Sequence, residues 1–484
     1  MKLEISKKEL LNGLSYDLIC GEVDDYLISD VINDTRKIVE NASFVCIVGD
    51  KFDSHTMIKD IVDKGAKLIV IEHDIDDNDL SYIKSKSDVT LVKVENSRVA
   101  LAKLSTNYFR DPSKDLFLIG ITGTKGKTTT SMIIKQTLEN NNIKCGLIGT
   151  IGVFIGDEYI RTENTTPESY LIQKYFYMMK EKGFKYVCME VSSQSLMQNR
   201  VYGLIFDIAV FTNIYEDHVG PGEHKDFEDY FNCKLKIFSK SKACKDNNIS
   251  YETYDVSKAT YKNYENEKCF GTKFSIESEN IDFDLSLPGS HNVENALCAM
   301  TVLKKIGISY DKIKGGLSNI SIPGRTEVIY KDNEYTVMVD FAHNALGTKA
   351  LLETMRQYHK KRYVVVFGCG GGRDKERRYG MGKVCGEMAD FSIVTADNSR
   401  YEKTMDIIND ILSVLIKYTK NYIIFEHRKD AIRYAIENHK EGDLIMVIGK
   451  GHEDYNDFNG VKTHFSDKEE ILKVLTLSQK SRRL

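Results

Sequence analysis

Short apolar runs alternate with helix-like stretches along nearly the whole chain. In the first 110 residues, apolar runs at 43–48 and 67–71 lie on either side of a predicted helix at 55–64. Further apolar runs predict buried strands at 116–121, 144–150, 186–190, 208–213, 363–368, 391–395, 422–425 and 444–449. Because strand-like and helix-like stretches alternate, the pattern predicts parallel sheets covered by helices.

The pattern divides the chain into three α/β domains, which a length of 484 residues also favours. We predict a small N-terminal α/β domain at 1–110, a central domain at 111–324 and a C-terminal domain at 325–484. The step at Asp111-Pro112-Ser113 is a candidate linker into the central domain. The central domain is expected to be a parallel sheet with helices on both faces, and the C-terminal domain a Rossmann-like α/β fold.

Composition and charge exclude several classes of protein. The chain is 42% hydrophobic and 29% charged, which is ordinary for a globular protein with a sizeable core. A net charge of −4 gives no expectation of binding nucleic acid, and no apolar run approaches the roughly 20 residues that span a bilayer. The ten cysteines include no Cys-x-x-Cys pair, and the charged start does not resemble a signal peptide. We therefore expect reduced thiols, a cytoplasmic location and a monomer.

The stretch from Gly120 to Thr130, Gly-Ile-Thr-Gly-Thr-Lys-Gly-Lys-Thr-Thr-Thr, lies between a predicted strand and a predicted helix. A glycine loop in that setting turns several backbone N–H groups into one hollow, and the helix N-terminus adds the positive end of its dipole. Lys127 can then reach the outer phosphates of a nucleotide, and the Thr128 hydroxyl can bind Mg²⁺. The usual P-loop has a glycine where this chain has Ile121. A flexible glycine loop without function is the alternative.

Polar residues also follow two of the predicted strands in the central domain. Glu190 ends one strand, and Thr212 and Asn213 end another. Ligands of parallel α/β folds collect at the carboxyl ends of the strands, so these residues are candidates for the same site. A carboxylate at position 190 can hold the Mg²⁺ that bridges ATP phosphates, although Glu190 alone is equally compatible with an ordinary strand end.

The remaining polar motifs are spread over the whole chain, at 122–128, 164–167, 190–200, 212–218, 230–234, 289–295, 324–327, 340–343, 397–400 and 449–453. Together they resemble the motifs of the Mur ligases, the ATP-dependent amide-forming enzymes of peptidoglycan precursor synthesis. The resemblance runs nearly end to end and is greatest to the members that add the third residue of the stem peptide. It implies a central P-loop ATPase domain and accounts for the unusual glycine spacing.

The resemblance implies a reaction and a catalytic set. A substrate carboxylate attacks the γ-phosphate of ATP and an amine attacks the resulting acyl phosphate, so cations must neutralise phosphoryl charge. Lys127 is expected to neutralise charge on the phosphates. One Mg²⁺ is expected on Thr128 and Glu190, and a second on His218 and Lys234, with Lys234 carbamylated to N6-carboxylysine. Taken alone, Lys234 is better explained as a solvated lysine on a helix, and its place directly after Tyr230-Phe-Asn-Cys is what favours the functional role.

The resemblance also assigns residues to two nucleotide substrates. The residues expected to bind ATP are Gly123, Thr124, Lys125, Gly126, Lys127, Thr128, Thr129, Asn292, Asn295, Arg325, Asp340 and His343. The residues expected to bind UDP-MurNAc-L-Ala-D-Glu are Thr35, Asn164, Thr165, Thr166, Ser192, Gln198 and Arg200. Asp53 and His55 resemble part of the uridine diphosphate segment, but are equally compatible with a turn.

The third amino acid is assigned to the C-terminal domain. The residues expected to bind it are Arg373, Asp397, Asn398, Arg400, Gly449 and Glu453. Family members that add diaminopimelate carry Asp-Asn-Pro-Arg, and this chain has Asp-Asn-Ser-Arg at 397–400. Arg400 suits a distal carboxylate and Glu453 a distal ammonium, so meso-diaminopimelate is expected. Lanthionine, L-lysine and ornithine stay open, as does a surface role for Arg400.

Some positions depart from the family pattern. Gln194 stands where the family usually has His, the Gly220-Pro221 segment differs, and Ser399 replaces a proline, which leaves its loop freer. A folylpolyglutamate synthase is disfavoured by the 110-residue first domain and the 397–400 motif. A P-loop NTP hydrolase needs neither His218 nor Lys234, and an inactive paralogue would not need to keep the catalytic set.

Overall fold

The computed structural model of the protein describes residues 3–49, 52–215, 220, 223–246, 252–254, 257, 259–266, 268–276, 279–359 and 361–481. Within it the chain forms two compact units, Met1–Thr253 and Tyr254–Leu484. The boundaries of the three predicted domains stay predictions. The predicted α/β class is confirmed, because every large sheet described below is covered by helices.

The first unit begins with a small α/β layer. Its elements are β1 (Ile5–Ser6), α1 (Lys7–Leu10), β2 (Asp17–Cys20), β3 (Leu27–Ile28), β4 (Asp30–Ile32), β5 (Ala42–Val45), α2 (Ile58–Asp63), β6 (Leu68–Ile71), α3 (Asp77–Lys84), β7 (Thr90–Lys93) and α4 (Ser97–Tyr108). The sheet order is β2-β7-β6-β5-β4, with β7 to β4 parallel, and β1 pairs with β3. The side chain of Asn96 accepts from the Val99 N–H and fixes the start of α4.

The rest of the first unit carries the larger sheet. Its elements are β8 (Phe117–Thr122), α5 (Lys127–Glu139), β9 (Cys145–Gly149), β10 (Gly152–Ile155), β11 (Glu158–Ile160), α6 (Ser169–Glu181), β12 (Tyr186–Glu190), α7 (Ser193–Met197), β13 (Ile208–Phe211), α8 (Phe227–Ser239) and α9 (Lys242–Lys245). The sheet order is β11-β10-β9-β12-β8-β13, and β9, β12, β8 and β13 are parallel. The four strands predicted in this region are therefore confirmed.

The register of the parallel strands brings their carboxyl ends to one edge. Glu190 of β12 lies opposite Ile121 of β8, and Phe211 of β13 lies opposite Thr122. Gly120 is needed in β8, because a Cβ there would lie 2.7 Å from the Phe206 ring. The loops after β8, β9, β12 and β13 consequently meet at the same edge, as predicted for a ligand site.

The second unit starts with an antiparallel sheet and two helices. Its elements are β14 (Ala259–Glu265), β15 (Phe270–Ile276), β16 (Ile281–Leu285), α10 (Ser290–Lys305) and α11 (Tyr310–Leu317). The three strands pair in chain order. The Tyr-rich polar composition of this region does not indicate strands. Packing explains the pairing of β14 with β15, because the ring of Tyr264 lies against Gly271, where a Cβ would lie only 2.4 Å from the ring.

The remaining elements of the second unit build a mostly parallel sheet. They are β17 (Glu327–Lys331), β18 (Tyr335–Asp340), α12 (Ala345–Arg356), β19 (Tyr363–Phe367), α13 (Lys375–Met388), β20 (Phe391–Val394), α14 (Thr404–Leu415), β21 (Tyr422–Ile424), α15 (Arg428–Glu437), β22 (Asp443–Ile448), β23 (Tyr455–Phe458), β24 (Val461–His464) and α16 (Asp467–Ser481). The order is β17-β18-β22-β19-β20-β21, and only β17 is antiparallel. β23 and β24 form a separate hairpin.

This sheet is buried on both faces, which explains its nearly unbroken apolar strands. In β19, Val365 and Phe367 pack into one hydrophobic cluster, while Val364 and Val366 pack into another. Parallel strands covered on both sides need apolar residues at every position rather than at alternate ones. None of the helices in the described residues is both long and apolar enough to cross a membrane. All ten cysteines are free thiols.

Candidate active site

The phosphate loop lies between the end of β8 and the start of α5, as predicted. Gly123 has φ 142°, and a Cβ at this position would lie 2.0 Å from Thr212 Oγ1. Gly126 caps α5 with φ 84° and supplies no side chain. Both glycines therefore have backbone conformations that other residues rarely adopt. The first N–H groups of α5 remain available to an anion, since no side chain caps this helix.

The segment after β13 holds the phosphate loop in shape. Thr212 Oγ1 donates to the carbonyl of Lys125 (2.6 Å), and Asn213 Oδ1 accepts from the Lys125 N–H (2.9 Å). The N–H of Thr124 donates to the Asn213 carbonyl (3.0 Å), and its hydroxyl lies 3.1 Å from the Tyr230 hydroxyl. Thr212 and Asn213, predicted as site residues from their strand-end position, thus shape the loop through hydrogen bonds.

Two lysines converge on the carbonyl of Gly123. Lys127 Nζ donates to it at 2.8 Å and also to the Thr124 carbonyl at 3.2 Å. Lys234 of α8 donates to the same oxygen at 2.9 Å, and only 2% of Lys234 is exposed. The structure therefore brings together Lys127 and Lys234, which are 107 positions apart in the sequence. His218 lies outside the described residues.

Glu190 lies beside the phosphate loop and is completely buried. Its Oε2 accepts from the hydroxyls of Thr128 (3.0 Å) and Thr150 (2.9 Å), and its Oε1 accepts from the Thr150 N–H (3.0 Å). Gly149 leaves room for the carboxylate, because a Cβ there would lie 2.2 Å from Glu190 Oε1. The result is a cluster of hard oxygen atoms at the start of α5, which fits the ligand preference of Mg²⁺.

A second polar group continues from Glu190 toward the predicted dipeptide site. Thr150 Oγ1 lies 3.0 Å from Thr165 Oγ1, and Thr166 Oγ1 donates to the Glu190 carbonyl (2.9 Å). The N–H of Ser192 in turn donates to Thr166 Oγ1 (3.0 Å). Two threonines and a serine of the predicted dipeptide-binding set therefore adjoin the predicted metal ligands, with Asn164 exposed beside them.

Arg200 anchors the same group from the end of the α7 region. Its Nη1 donates to the Thr166 carbonyl (2.9 Å), and its Nη2 donates to Gln198 Oε1 (2.7 Å). Its Nε lies 2.9 Å from Glu168 Oε1. Burial lowers the pKa of Arg200, and the charge of Glu168 opposes that shift. Arg200 and Gln198 are thus held rigidly next to Thr166, which agrees with a substrate-positioning role.

Thr35 lies in the turn after β4, beside Asp34 and Arg36, whose ion pair has an Nε–Oδ1 distance of 2.9 Å. The side-chain hydrogen bond from Arg36 lowers the pKa of Asp34 to about 2. The side-chain hydrogen bond to Asp34 raises the pKa of Arg36, and the charge of Glu163 adds to that shift. The contact of Thr35 with the dipeptide substrate stays a prediction.

Asp53 and His55 belong to a compact group with His73. His55 Nδ1 donates to Asp53 Oδ1 (2.6 Å), because its Nε2 accepts from the Glu72 N–H (3.1 Å). His73 Nε2 contacts the other Asp53 oxygen (3.0 Å), and the two imidazole rings stack with centroids 3.8 Å apart. These bonds fix the turn at 52–57, so the turn interpretation of Asp53 and His55 has direct structural support.

In the second unit, the predicted nucleotide residues Arg325, Asp340 and His343 cluster after β18. Asp340 accepts from the N–H groups of Thr326 and Ala342, both at 2.7 Å. Burial raises the pKa of Asp340, and the charge of Arg325 opposes that shift. The Arg325 guanidinium lies 4.5 Å from the centroid of the Phe341 ring. Burial lowers the pKa of His343, which lies two residues after Phe341.

Asn292 and Asn295 lie on the first turns of α10. Asn292 Nδ2 donates to the carbonyl of Pro288 (2.7 Å), and its Oδ1 accepts from Asn295 Nδ2 (3.2 Å). Gly289 before the helix has φ 90°, and its N–H donates to the Tyr358 hydroxyl (2.8 Å). These bonds fix the start of α10, while the predicted contact of Asn292 and Asn295 with ATP stays a prediction.

The residues predicted to bind the amino acid converge from two loops at the carboxyl ends of β20 and β22. Asn398 Nδ2 donates to Glu453 Oε2 (2.9 Å), and Asp397 Oδ1 accepts from the Asn398 N–H (2.6 Å). Arg400 has φ 52°, and its Nη1 donates to the carbonyl of Gly371 (2.6 Å). Gly449 has φ 114° and lies against Asp397.

Arg373, also predicted to bind the amino acid, is exposed on the loop that contains Gly371 and Gly372. This loop is tied to the Arg400 loop by hydrogen bonds, since the Gly371 N–H donates to the Asn398 carbonyl (2.9 Å). Gly371 also requires glycine, because a Cβ would lie 2.0 Å from the Ser399 carbonyl oxygen. Three chain segments, which contain residues 371–373, 397–400 and 449–453, therefore form one group.

The residues that support this group have no distinguishing pattern in the sequence. Lys450 is fully buried between Asn398 and Glu453. Beneath it, Arg428 forms two 2.7 Å bonds to Asp467 and donates to the carbonyl of Ile448 (2.9 Å). Charged residues with almost no exposure are rare unless they are paired, but a sequence does not show which charges are buried. Of these supporting residues, only Lys450 is placed near the site by the sequence, because it lies inside the 449–453 motif.

Family models match most of the two regions just described. The description "Mur ligase middle domain" matches residues 121–303, and "Mur ligase, glutamate ligase domain" matches residues 324–451. The chain is 39% identical to the UDP-N-acetylmuramoyl-L-alanyl-D-glutamate–2,6-diaminopimelate ligase of Clostridium perfringens, over 97% of this chain and 99% of that protein. The chain belongs to the Mur ligase family. It is therefore an ATP-dependent ligase by family, as the motifs predict.

Solved structures of Mur ligases share the fold. A UDP-N-acetylmuramoyl-L-alanyl-D-glutamate–2,6-diaminopimelate ligase superposes with a TM-score of 0.63 at 23% identity, over 99% of this chain and all of that one. The MurF ligase of Thermotoga maritima, solved in complex with ADP, gives a TM-score of 0.60 at 18% identity, over 94% and 98% of the two chains. The predicted Mur ligase fold is thereby confirmed.

Proposed function

We propose that this Mur ligase joins a diamino acid, meso-diaminopimelate, to UDP-MurNAc-L-Ala-D-Glu at the expense of ATP. The observation that carries the proposal is the group formed by Lys127, Thr128, Glu190 and Lys234. In it, two lysines and a buried carboxylate surround a phosphate loop that adjoins Thr165 and Thr166. The relative with 39% identity also supports these substrates, because it is named as the ligase that joins 2,6-diaminopimelate to UDP-N-acetylmuramoyl-L-alanyl-D-glutamate.

The chemistry assigned to the first unit is activation of a carboxylate. The dipeptide carboxylate attacks the γ-phosphorus of ATP, the bond to the β-γ bridging oxygen breaks, and ADP leaves. Lys127 and the first N–H groups of α5 stabilise the charge that develops on the phosphoryl oxygens. The amine of the third amino acid then attacks the acyl carbon, phosphate leaves, and the amine proton is lost to solvent or a base.

The oxygen cluster around Glu190 fits Mg²⁺. Thr128 Oγ1 and Glu190 Oε2 are 3.0 Å apart, and both are of the hard type that Mg²⁺ binds. When bound, the ion would supply positive charge at the β- and γ-phosphates. Thr150 donates a hydrogen bond to each carboxylate oxygen of Glu190 and therefore orients Glu190 as the proposed Mg²⁺ ligand.

Lys234 is proposed to be carbamylated and to act with His218. The reaction adds the neutral amine to CO₂ and releases one proton, which gives a carboxylate-like oxygen ligand. Lys234 is almost completely buried, and its Nζ lies 2.9 Å from the Gly123 carbonyl, so its amine is held beside the phosphate loop. Lys127 Nζ donates to the same carbonyl, which places both side chains at the proposed phosphoryl-transfer site.

The second unit is proposed to bind the third amino acid. Arg400 is assigned to the distal carboxylate and Glu453 to the distal ammonium, while Asp397 and Asn398 hold their loop. Burial raises the pKa of Glu453, and the charge of Lys450 opposes that shift. L-Lysine, ornithine and lanthionine are the alternative substrates. L-Lysine lacks a distal carboxylate and would leave Arg400 without its assigned partner.

An ADP-release assay tests the proposal. The wild-type chain is mixed with ATP, Mg²⁺ and UDP-MurNAc-L-Ala-D-Glu, and each candidate amino acid is added separately. We expect ADP release only when the dipeptide substrate and a diamino acid are both present, with meso-diaminopimelate the best substrate. ADP release that ignores the dipeptide would indicate the alternative class, a P-loop NTP hydrolase.

A further inference from the structure

Lys450 is a completely buried lysine next to the segments assigned to the amino acid. Its ammonium donates to Asn398 Oδ1 (3.0 Å), to Glu453 Oε2 (3.3 Å) and to the carbonyl of Tyr455 (2.5 Å). Asp397 Oδ1 lies 3.8 Å away. All three N–H bonds of the ammonium therefore have an acceptor, which is the condition for burying a charge.

The lysine links the two loops and the β23–β24 hairpin. Asn398 Oδ1 also accepts from the Asp457 N–H (3.0 Å), so one amide oxygen joins Lys450 to β23. The Arg400 N–H donates to the Asp457 carbonyl (2.9 Å), and the Asn459 N–H donates to the Arg400 carbonyl (2.7 Å). The unusual φ of Arg400 is thus held by backbone bonds to the hairpin that Lys450 anchors at Tyr455.

Lys450 also stabilises the negative charge of its carboxylate neighbours. Burial opposes ionisation of Asp397, but the charges of Lys450 and Arg428 outweigh it and lower the pKa of Asp397. The charge of Lys450 likewise opposes the effect of burial on Glu453. Lys450 is therefore one of the groups that stabilise the negative charge of both carboxylates in a poorly solvated position.

The charges of the segments 397–400 and 449–453, which we call the wall, sum to zero. Within the wall Lys450 and Arg400 are cationic and Asp397 and Glu453 are anionic, and the adjoining Arg428–Asp467 pair is neutral as a whole. A side-chain end that carries both a carboxylate and an ammonium is also neutral. Without the charge of Lys450 the same wall would be anionic, and an ammonium alone would then suit it better.

We propose that Lys450 is a specificity-determining residue, which positions Asn398 and Glu453 and keeps the wall neutral so that a zwitterionic side-chain end is preferred over a cationic one. The proposal rests on the proposed function of a ligase that adds a diamino acid. Lys450 itself acts through Asn398 and Glu453, so it is a positioning residue rather than a group that contacts the substrate.

The test compares two amino acid substrates in the full-length chain with saturating ATP and dipeptide. We expect Lys450→Met to lower the kcat/KM ratio of meso-diaminopimelate to L-lysine by about tenfold or more, because it removes a unit charge that lies 3.3 Å from Glu453 Oε2. Lys450→Arg keeps the charge and should retain most of the preference. The KM for ATP should change little in either variant.

Lys331→Met is a matched control in the same unit. Lys331 also donates to a carboxylate, Glu265 (2.7 Å), and to a carbonyl, Asn266 (2.6 Å). It lies opposite Thr336 at the beginning of β18, whereas the amino acid residues follow the strand ends. Its substitution should leave the substrate ratio unchanged, and thermal unfolding of each variant shows whether the fold is kept.

A second variant tests the neutral wall if Lys450→Met does not fold. Glu453→Gln leaves Lys450 in place and makes the wall cationic, so it should favour 2-aminopimelate, which has only a distal carboxylate, over meso-diaminopimelate by about tenfold. An unchanged substrate ratio in a folded Lys450→Met, or in Glu453→Gln, would overturn the proposal. If the wild-type chain showed no ADP release that depends on a diamino acid, the proposed function would fail first and this proposal with it.

Discussion

The phosphate loop of the first unit and the amino acid group of the second are built in different ways. The phosphate loop uses contiguous residues, and glycines at 123 and 126 give it its shape. The amino acid group uses three separate segments held by buried charges, above all Lys450 and the Arg428–Asp467 pair. A main-chain site can tolerate a departure such as Ile121, whereas a site built from side-chain charges depends on every member being present.

The largest expected effect is on the phosphate loop. Lys127→Ala should lower kcat for ADP release by at least about 10²–10³-fold, because the lysine stabilises charge that develops during phosphoryl transfer. Steady-state rates with all substrates saturating measure this. Lys144→Ala, an exposed lysine of the same unit that donates to the Lys182 carbonyl, is the control and should be unaffected. A variant at position 127 with near-normal kcat would refute the assigned role.

The proposed carbamylation modifies Lys234, which lies beside the same phosphate loop. Lys234→Ala should be nearly inactive and partly restored by a short carboxylic acid, which can replace the missing carbamate oxygens. NMR of wild-type enzyme supplied with ¹³C-bicarbonate should show a carbamate signal that Lys234→Ala lacks.

Lys236→Ala provides the control for Lys234, since residue 236 lies exposed on the same helix. It should keep both the activity and the carbamate signal. An active wild-type enzyme that carries an unmodified lysine at 234 in the presence of bicarbonate would contradict the proposal.

Arg400 tests the side-chain site. Arg400→Ala should raise the KM for meso-diaminopimelate by about 10²–10³-fold, since losing one partner of a desolvated charge pair costs about 2–5 kcal/mol. The KM for ATP should change little. Arg400→Lys should restore binding only in part, because an ammonium cannot form two parallel bonds to a carboxylate.

Arg433→Ala, an exposed arginine on α15, serves as the control for Arg400. If Arg400→Ala raised the KM values for ATP and the amino acid equally, the effect would be structural. A wild-type preference for L-lysine over meso-diaminopimelate would also contradict the assignment of Arg400, while the ligase function would stand.

The smallest effect concerns Ser399, where the family usually has proline. Its hydroxyl lies 2.8 Å from Thr404 Oγ1, and only 1% of the residue is exposed. Ser399→Ala should lower the free energy of unfolding by about 0.5–1.5 kcal/mol, the usual worth of one hydrogen bond. Denaturant unfolding measures it, with the exposed Ser413→Ala as the control. No change in stability would show that the hydroxyl does not restrain the loop.

Much of the fold could be predicted because buried parallel strands leave a clear pattern in the sequence. The predicted strand at 186–190 coincides with β12, and the predicted strand at 363–368 differs from β19 by one residue. β18 was not predicted, although it pairs with β22 in the middle of the sheet and ends at Asp340. The polar strand β14 was also missed, since tertiary packing rather than local composition decides its conformation.

In the candidate site, too, some residues could be predicted from the sequence and others could not. The phosphate loop could be predicted because its chemistry depends on main-chain geometry that glycine positions reveal. Lys450 could not, because no local pattern tells a buried lysine from a solvated one. Ser399 was expected to leave its loop freer than proline would, but the sequence did not show that Thr404 lies within hydrogen-bonding distance.

The transfer of oxygen from the dipeptide substrate to phosphate tests the central claim most directly. UDP-MurNAc-L-Ala-D-Glu is prepared with ¹⁸O in the reacting carboxylate, and the released phosphate is analysed by mass spectrometry after one turnover with ATP and meso-diaminopimelate. An acyl phosphate that forms beside Lys127 and Glu190 must leave one ¹⁸O atom in each phosphate. Phosphate that carries no ¹⁸O, with its new oxygen derived from water, would contradict the ligase mechanism.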